Sequence, residues 1–265
     1  MDSIGLSLDL PPSLAAEMRG DIAVLRLARP DKRNSIDDTM VRGIERFFAG
    51  LPGHARAVVI HGEGEHFCAG LDLSSITETD ASAGLFHSRA WHRAFERIEH
   101  GDLPVIAVLH GAVVGGGLEI AAAAHIRVAE RSAFYALPEG SRGIFVGGGG
   151  AVRVPRLIGV ARMTDMMLTG RTYGAEEGLA IGLSQYLVEP GAGLAKALEL
   201  AERVAANTTL TNFAVIQALP RIAGAEPEAA YLLESLMAAV ATADDEAKDR
   251  LRAFLEKRAP KVVHR

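Results

Sequence analysis

Residues 110–121 read HGAVVGGGLEIA, and the parsing of this stretch decides the fold. The residues before it, Val105–Leu109, form an almost continuous apolar run bounded by Pro104 and Gly111, which suits a strand covered on both faces. After it, Leu118, Ile120 and a run of alanines read as an apolar helix that opens at the three glycines 115–117. A strand delivering into a glycine-opened helix exposes backbone donors, because the first N–H groups of a helix lack intrahelical partners and sit at the positive end of its dipole. Glycine lets a ligand approach that backbone closely; three glycines equally permit tight helix packing. Glu119 stands three residues beyond Gly116, about one turn along, so donor and carboxylate can face one ligand. An unpaired carboxylate in so apolar a helix is costly.

Working outward, residues 57–60 form a second short apolar run, followed by the glycine-bearing loop HFCAGLDL at 66–73. Two such loops, each leaving a strand, can converge two N–H groups on one oxygen, the arrangement that stabilises an oxyanion. Upstream, residues 22–27 alternate and are rich in β-branched side chains after the turn-like Arg19-Gly20-Asp21, as in a hairpin strand. Residues 1–15 read as a loosely held lead-in. Met40, Val41, Ile44, Phe47 and Phe48 recur at helical spacing over 37–50 behind the capping candidates Ser35 and Asp37. Helical patterns return at 85–100 and 116–124, and 126–129 reads as another strand. From about residue 150 the periodicity is helical almost throughout, in seven segments ending near 258. Strand, loop and helix alternate without a Pro/Ser-rich linker, so we expect an α/β core over 1–200 with a helical C-terminal extension over 201–265, together forming one structural unit.

Composition excludes several classes. In 265 residues with a net charge of -5, Lys and Arg are scattered instead of forming a stripe that could neutralise successive phosphates, which argues against nucleic acid. No run of about 18 apolar residues suggests a membrane span. The single cysteine, Cys68, forms no internal disulfide, and the acidic, proline-bearing start lacks the form of a signal peptide, so a cytoplasmic protein is expected. Neither the dinucleotide glycine fingerprint nor a P-loop occurs, Ser141 is one residue short of a nucleophile elbow, and the nine histidines include no metal-binding helix pair. We therefore expect no metal and no separate cofactor.

Taken together, FCAGLDL (67–73), HGAVVGGGLEIA (110–121), LPE (137–139), RLIG (156–159) and LTG (168–170), with Arg29-Pro30, Asn34 and the C-terminal AFLEKRAP (253–260), resemble the crotonase, or enoyl-CoA hydratase/isomerase, superfamily over nearly the whole chain. The resemblance implies a spiral of ββα units with a C-terminal helical trimerisation region, assembled as a homotrimer or dimer of trimers. It implies a coenzyme A thioester as substrate, so that coenzyme A enters with the acyl group. Carried over by position, the oxyanion hole is the N–H of Leu71 and of Gly116, and the catalytic carboxylates are Glu119, as base, and Glu139, as acid. Glu139 read by itself is a solvated loop residue. The same resemblance assigns Ala69, Leu71, Asp72 and Leu73 to substrate binding and points to Phe254 and Lys257 for the adenine or phosphate end, with Arg29, Lys32 and Arg33 as further phosphate-side candidates.

After Glu139 the chain departs from the common pattern: GIFVGGGGAVRVPRLIG (143–159) lacks the usual proline before its glycines, with Phe145 and Val146 in bulky positions. A distinct acyl preference is expected, with helix 85–100 and its Phe86, Trp91 and Phe95 as candidate pocket wall. Retention of both glutamates favours a hydratase. The rivals are an enoyl-CoA isomerase, which can work with one carboxylate, and a non-catalytic binding module of the same fold.

Overall fold

The computed structural model describes residues 3–75, 80–256 and 258. The chain divides into two compact units, one running to Arg203 and one from Val204.

The first unit is organised by a seven-stranded sheet. Its strands are β1 (Ser3–Gly5), β2 (Leu14–Arg19), β3 (Ile22–Leu27), β4 (Ala57–Gly62), β5 (Val105–Leu109), β7 (Ile126–Glu130) and β10 (Tyr186–Val188), adjacent in that order. β6 (Ala112–Val114), β8 (Phe134–Ala136) and β9 (Tyr173–Gly174) make a second, three-stranded sheet. β1, β2 and β3 pair antiparallel, whereas β3, β4, β5, β7 and β10 run parallel, with Ile22 opposite Ala57, Val58 opposite Val105 and Ile106 opposite Ile126. All five residues of β5 are buried, which is why its sequence lacks alternation.

The helices of this unit are α1 (Asp38–Ala49), α2 (Ala81–Glu99), α3 (Gly116–Ala123), α4 (Gly150–Ile158), α5 (Val160–Thr169), α6 (Ala175–Ile181) and α7 (Gly193–Ala205), which reaches the boundary. Asp37 caps α1 by accepting from the Met40 N–H at 2.8 Å, and Asp80 caps α2 by accepting from the Ala83 N–H at 2.7 Å. α1 buries Met40, Ile44 and Phe47 with Leu25, Leu27 and Ile60 in one core. Each such side chain contributes roughly 1.5–3 kcal/mol relative to exposure. The fold is the mixed α/β arrangement expected, a mostly parallel sheet with many helices and further helices at the C-terminus.

Three expectations need correction. Residues 1–15 are not all loosely held: β1 pairs with β2, and Leu6, Leu8 and Leu10 pack against the core. The Leu8 N–H donates to Leu6 O at 2.9 Å and the Leu10 N–H to Leu8 O at 2.8 Å, tight turns that keep the leucines on one side without a strand's signature. The small sheet and β10 escape sequence reading because strands of two or three residues show no period. The helix expected over 210–222 is divided by a π-helical turn at Ala214–Ala218.

The second unit contains α8 (Thr209–Phe213), a π-helical turn (Ala214–Ala218), α9 (Leu219–Ala223), α10 (Pro227–Ala243) and α11 (Asp245–Leu255). Pro220 has no N–H to continue an α register, and the π turn lies just before it. The Thr208 hydroxyl accepts from the Thr211 N–H at 3.0 Å, and Asp244 caps α11 from the Ala247 N–H at 3.1 Å. α10 and α11 carry Tyr231, Leu232, Leu236, Leu251, Phe254 and Leu255 exposed.

Candidate active site

The loop after β4 and the turn after β5 are fastened side by side. Buried Asn34, itself at a positive φ, accepts from the Arg29 N–H at 2.9 Å and donates to Glu63 O at 2.9 Å and His66 O at 2.7 Å. Beyond this clamp the Phe67 N–H donates to His110 O, the Cys68 N–H to Ala112 O, and the Val114 N–H returns to Cys68 O at 3.0 Å. Gly70 adopts φ +91°, and a Cβ added there would lie 2.7 Å from Val114 O and 3.3 Å from Gly116 N. Only glycine therefore lets the loop turn so close to the start of α3. A Cβ added to Gly116 would lie 3.5 Å from Leu71 N. The N–H groups of Leu71 and Gly116 thus come together, and neither donates to a partner among the described residues. Two unspent donors, one at a helix N-terminus, can stabilise negative charge on one oxygen.

Glu119 and Glu139 are both buried, at 3% and 7% exposure, which corrects the reading of Glu139 alone as a solvated loop carboxylate. Glu119 lies within α3, every residue of which is buried, and its Oε1 accepts from the N–H of Gly148 at 2.8 Å and of Gly150 at 2.7 Å. Glu139 follows β8 and leans against the glycine turn from the other side: a Cβ on Gly115 would be 2.6 Å from its Oε1. Glu139 Oε2 is buried without a partner among the described residues. Burial pushes the Glu119 carboxyl above the usual range, against the two N–H bonds and the charge of Arg153. Burial also raises Glu139, and the neighbouring Glu119 charge adds to it. A carboxyl held protonated beside an ionised neighbour lets such a pair supply an acid and a base together.

This pair leaves a mark on stability. An acid whose folded pKa is raised binds more protons folded than unfolded in the window above about pH 4.3, the unfolded glutamate value. Its stabilising contribution is full below that pH and is lost as pH rises through the folded pKa. Denaturation midpoints followed upward from pH 4.3 should therefore fall more steeply for the wild type than for Glu119→Gln/Glu139→Gln; equal slopes would show that the two carboxyls are not raised.

The other candidate residues are distributed as follows. Asp72 is buried and accepts from Arg29 Nη2 at 2.8 Å and Lys32 Nζ at 3.1 Å. The Ser74 hydroxyl, then Lys32 and Arg29, hold its carboxyl well below the usual carboxylate range. Arg29 and Lys32 thus order the base of the loop as well as carrying charge; Lys32 remains half exposed. The Ala69 N–H is tied to Arg33 O at 2.9 Å, and Leu73 is exposed in a short 3₁₀ turn. Phe254 is exposed on α11, and Lys257 lies outside the described residues. On α2, Trp91 and Phe95 are buried, whereas Phe86 is 67% exposed and Phe145 69% exposed. Trp91 and Phe95 are the members of that trio at the site: the Trp91 ring would be 3.1 Å from a Cβ on Gly116 and its Nε1–H donates to Asp38 at 3.2 Å, while the Phe95 ring would be 2.8 Å from a Cβ on Gly148.

Sequence reasoning did not find the Gly148 and Gly150 N–H groups that hold Glu119, nor buried Arg153, which pairs with Glu99 at 2.6 Å. The legible signal was the run of four glycines at 147–150 followed closely by Arg153 between two valines. Among the described residues no group of three His, Cys, Asp or Glu side chains is placed to hold a metal, and no helix is long and apolar enough to cross a membrane.

Comparison with known proteins points to one family. Residues 17–264 match the model of the enoyl-CoA hydratase/isomerase family. The chain is 30% identical over 259 residues to the enoyl-CoA hydratase EchA19 of Mycobacterium tuberculosis, covering 96% of this chain and 97% of that one. It is 31% identical to a short-chain-enoyl-CoA hydratase of Clostridium acetobutylicum, over 91% and 94% of the two chains. The crystal structure of a provisionally named enoyl-CoA hydratase from Rhodopseudomonas palustris CGA009 superposes with a TM-score of 0.92 at 58% identity, covering 95% of this chain and 98% of that one. By the match over residues 17–264 and these relatives, the chain belongs to the enoyl-CoA hydratase/isomerase family.

Proposed function

We propose that this protein is an enoyl-CoA hydratase, adding water reversibly and syn across the α,β double bond of an enoyl-CoA thioester. The observation that carries the proposal is the pair of buried carboxyls, Glu119 and Glu139, set around the same glycine turn. In this reading ionised Glu119 takes a proton from the water that attacks the β-carbon, and protonated Glu139 delivers one to the α-carbon. The thioester oxygen, negative in the intervening enolate, is held by the N–H groups of Leu71 and Gly116. Coenzyme A enters as part of the substrate, along the segment Ala69, Asp72 and Leu73, with Arg29 and Lys32 towards its phosphates; the family resemblance assigns Phe254 and Lys257 to its adenine or phosphate end. No other cofactor takes part. The exposed apolar side chains of α10 and α11 support self-association, as a homotrimer or a dimer of trimers.

The test is loss of enoyl absorbance on mixing the purified protein with crotonyl-CoA and with longer and aromatic enoyl-CoAs. Hydration of at least one is expected, abolished by either Glu→Gln change. If none is hydrated, and a β,γ-unsaturated thioester is instead isomerised by Glu119→Ala as well as by the wild type, the protein is an isomerase working with Glu139 alone.

A further inference from the structure

Among the described residues no side chain hydrogen-bonds Glu119: its two partners are the N–H groups of Gly148 and Gly150. They belong to the four glycines 147–150, the stretch with the greatest backbone freedom in the site and nothing of its own to anchor it. The anchors come from elsewhere. The Ser88 hydroxyl donates to Gly147 O at 2.7 Å, and the Phe95 ring underlies Gly148, where a Cβ would come within 2.8 Å of it. Arg153 Nη1 donates to Gly148 O at 2.9 Å, and the guanidinium wraps Gly149 so closely that a Cβ there would collide with it. The Arg153 side chain is only 7% exposed and is fixed from behind by Glu99 Oε2, 2.6 Å from Nε, at the C-terminal end of α2.

We propose that Arg153, locked by Glu99, is a positioning residue for Glu119, holding the 147–150 segment so that the Gly148 and Gly150 N–H groups present the carboxylate to the reacting water. The proposal rests on the hydratase reading, in which Glu119 reacts ionised. The Gly148–Gly149 peptide, whose carbonyl Arg153 holds, lies between the two peptides whose N–H groups hold Glu119, so a shift in one is transmitted to the others. Arg153 is also the cation that opposes the effect of burial on Glu119. The other ionisable groups around this centre are Glu139, with Arg142 beside it, and, on α2, His92 against Gly147 with Arg89 and Glu96 near it. None of them bonds the glycine segment from the side that Arg153 occupies.

The test uses the full chain carrying Arg153→Met, Arg153→Lys or Glu99→Gln, with kcat and KM measured against pH for a hydrated enoyl-CoA. Arg153→Met is expected to lower kcat at least about tenfold with KM within about threefold, and to move the acidic limb of kcat upward by about one pH unit, because a cation that favoured the carboxylate is gone. Arg153→Lys should restore the limb more than it restores kcat, since an ammonium carries the charge but cannot bridge Glu99 and Gly148 O as the planar fork does. Glu99→Gln, which keeps an acceptor for Nε, should shift both in the same direction by less. An unmoved limb with kcat falling only as folded protein is lost overturns the proposal, and if Arg153→Met does not fold, the Lys and Gln variants decide. Infrared titration of the Glu119 carboxyl, assigned by difference from Glu119→Gln, gives a readout free of activity. An upward shift in Arg153→Met and, by less, in Glu99→Gln, where the Arg153 charge remains, upholds the positioning role even if the wild type hydrates nothing, in which case the hydratase reading alone fails. An active wild type with an unmoved Glu119 titration sinks the positioning role alone.

Discussion

Glu119→Gln is expected to lower kcat for hydration by about 10²–10⁴ while the protein stays folded and still binds acyl-CoA. The separation of the two effects follows from the geometry. Glutamine keeps an Oε1 that can accept the same N–H groups, Gly148 at 2.8 Å and Gly150 at 2.7 Å, so the glycine segment has no reason to move. What is lost is the ability to take up a proton. The buried charge disappears as well, so thermal stability near neutral pH should match or exceed that of the wild type, in keeping with the raised Glu119 carboxyl. Glu119→Ala should behave differently. It strips both N–H groups of their acceptor in a buried place, at about 1–3 kcal/mol for each group left unpaired. Binding of a saturated acyl-CoA, measured calorimetrically, should be nearly unchanged in Glu119→Gln because the Leu71 and Gly116 N–H groups are intact. Hydration within tenfold of wild type in that variant would remove Glu119 from the role of base.

The two glutamates were not equally legible, and the reason is physical. Glu119 sits in a helix with an apolar sequence all round, so its cost is visible in the residues beside it: Leu118, Ile120 and alanines. Glu139 follows a proline in a turn, and nothing adjacent to it in the chain reports that it is buried against the glycine turn at Gly115. Its burial is a tertiary fact. The convergence of Leu71 and Gly116 was legible as two strand-to-loop exits, but the distance between them depends on Asn34 and Gly70 acting through backbone carbonyls, which leave no pattern in residue type. The same holds more strongly for Gly148 and Gly150, whose contribution is made wholly by N–H groups. Long elements, such as α1 with its Asp37 cap or the buried run of β5, announced themselves by period and composition. Strands of two and three residues did not, and the leucine-bearing lead-in concealed a strand and three core contacts behind two prolines.

Gly117→Ala should destroy activity by steric means alone, without touching an ionisable or polar side chain. A Cβ on Gly117 would lie 2.4 Å from Cys68 O and 2.8 Å from Cys68 Cβ, inside any tolerated contact, and Cys68 is fully buried. Neither partner can yield easily. Cys68 O is the acceptor for the Val114 N–H, and its own N–H is spent on Ala112 O, so displacing Cys68 breaks the seam between the loop at 66–72 and β6. Leu71 lies three residues further along that loop, and its N–H would move away from that of Gly116. Overpacking of this kind costs about 1–3 kcal/mol, and a displacement of about 1 Å between catalytic groups can cost on the order of 10² in rate. We therefore expect a fall of at least about 100-fold in kcat/KM with a lowered denaturation midpoint. Gly84→Ala provides the contrast. Gly84 is exposed within α2 with nothing within 4 Å of an added Cβ, so alanine should raise stability by about 0.8–1 kcal/mol and leave kcat/KM unchanged. If Gly117→Ala keeps wild-type kcat/KM, the close approach of α3 to Cys68 does not set the spacing of the two N–H groups, and the proposed oxyanion site loses its geometric basis.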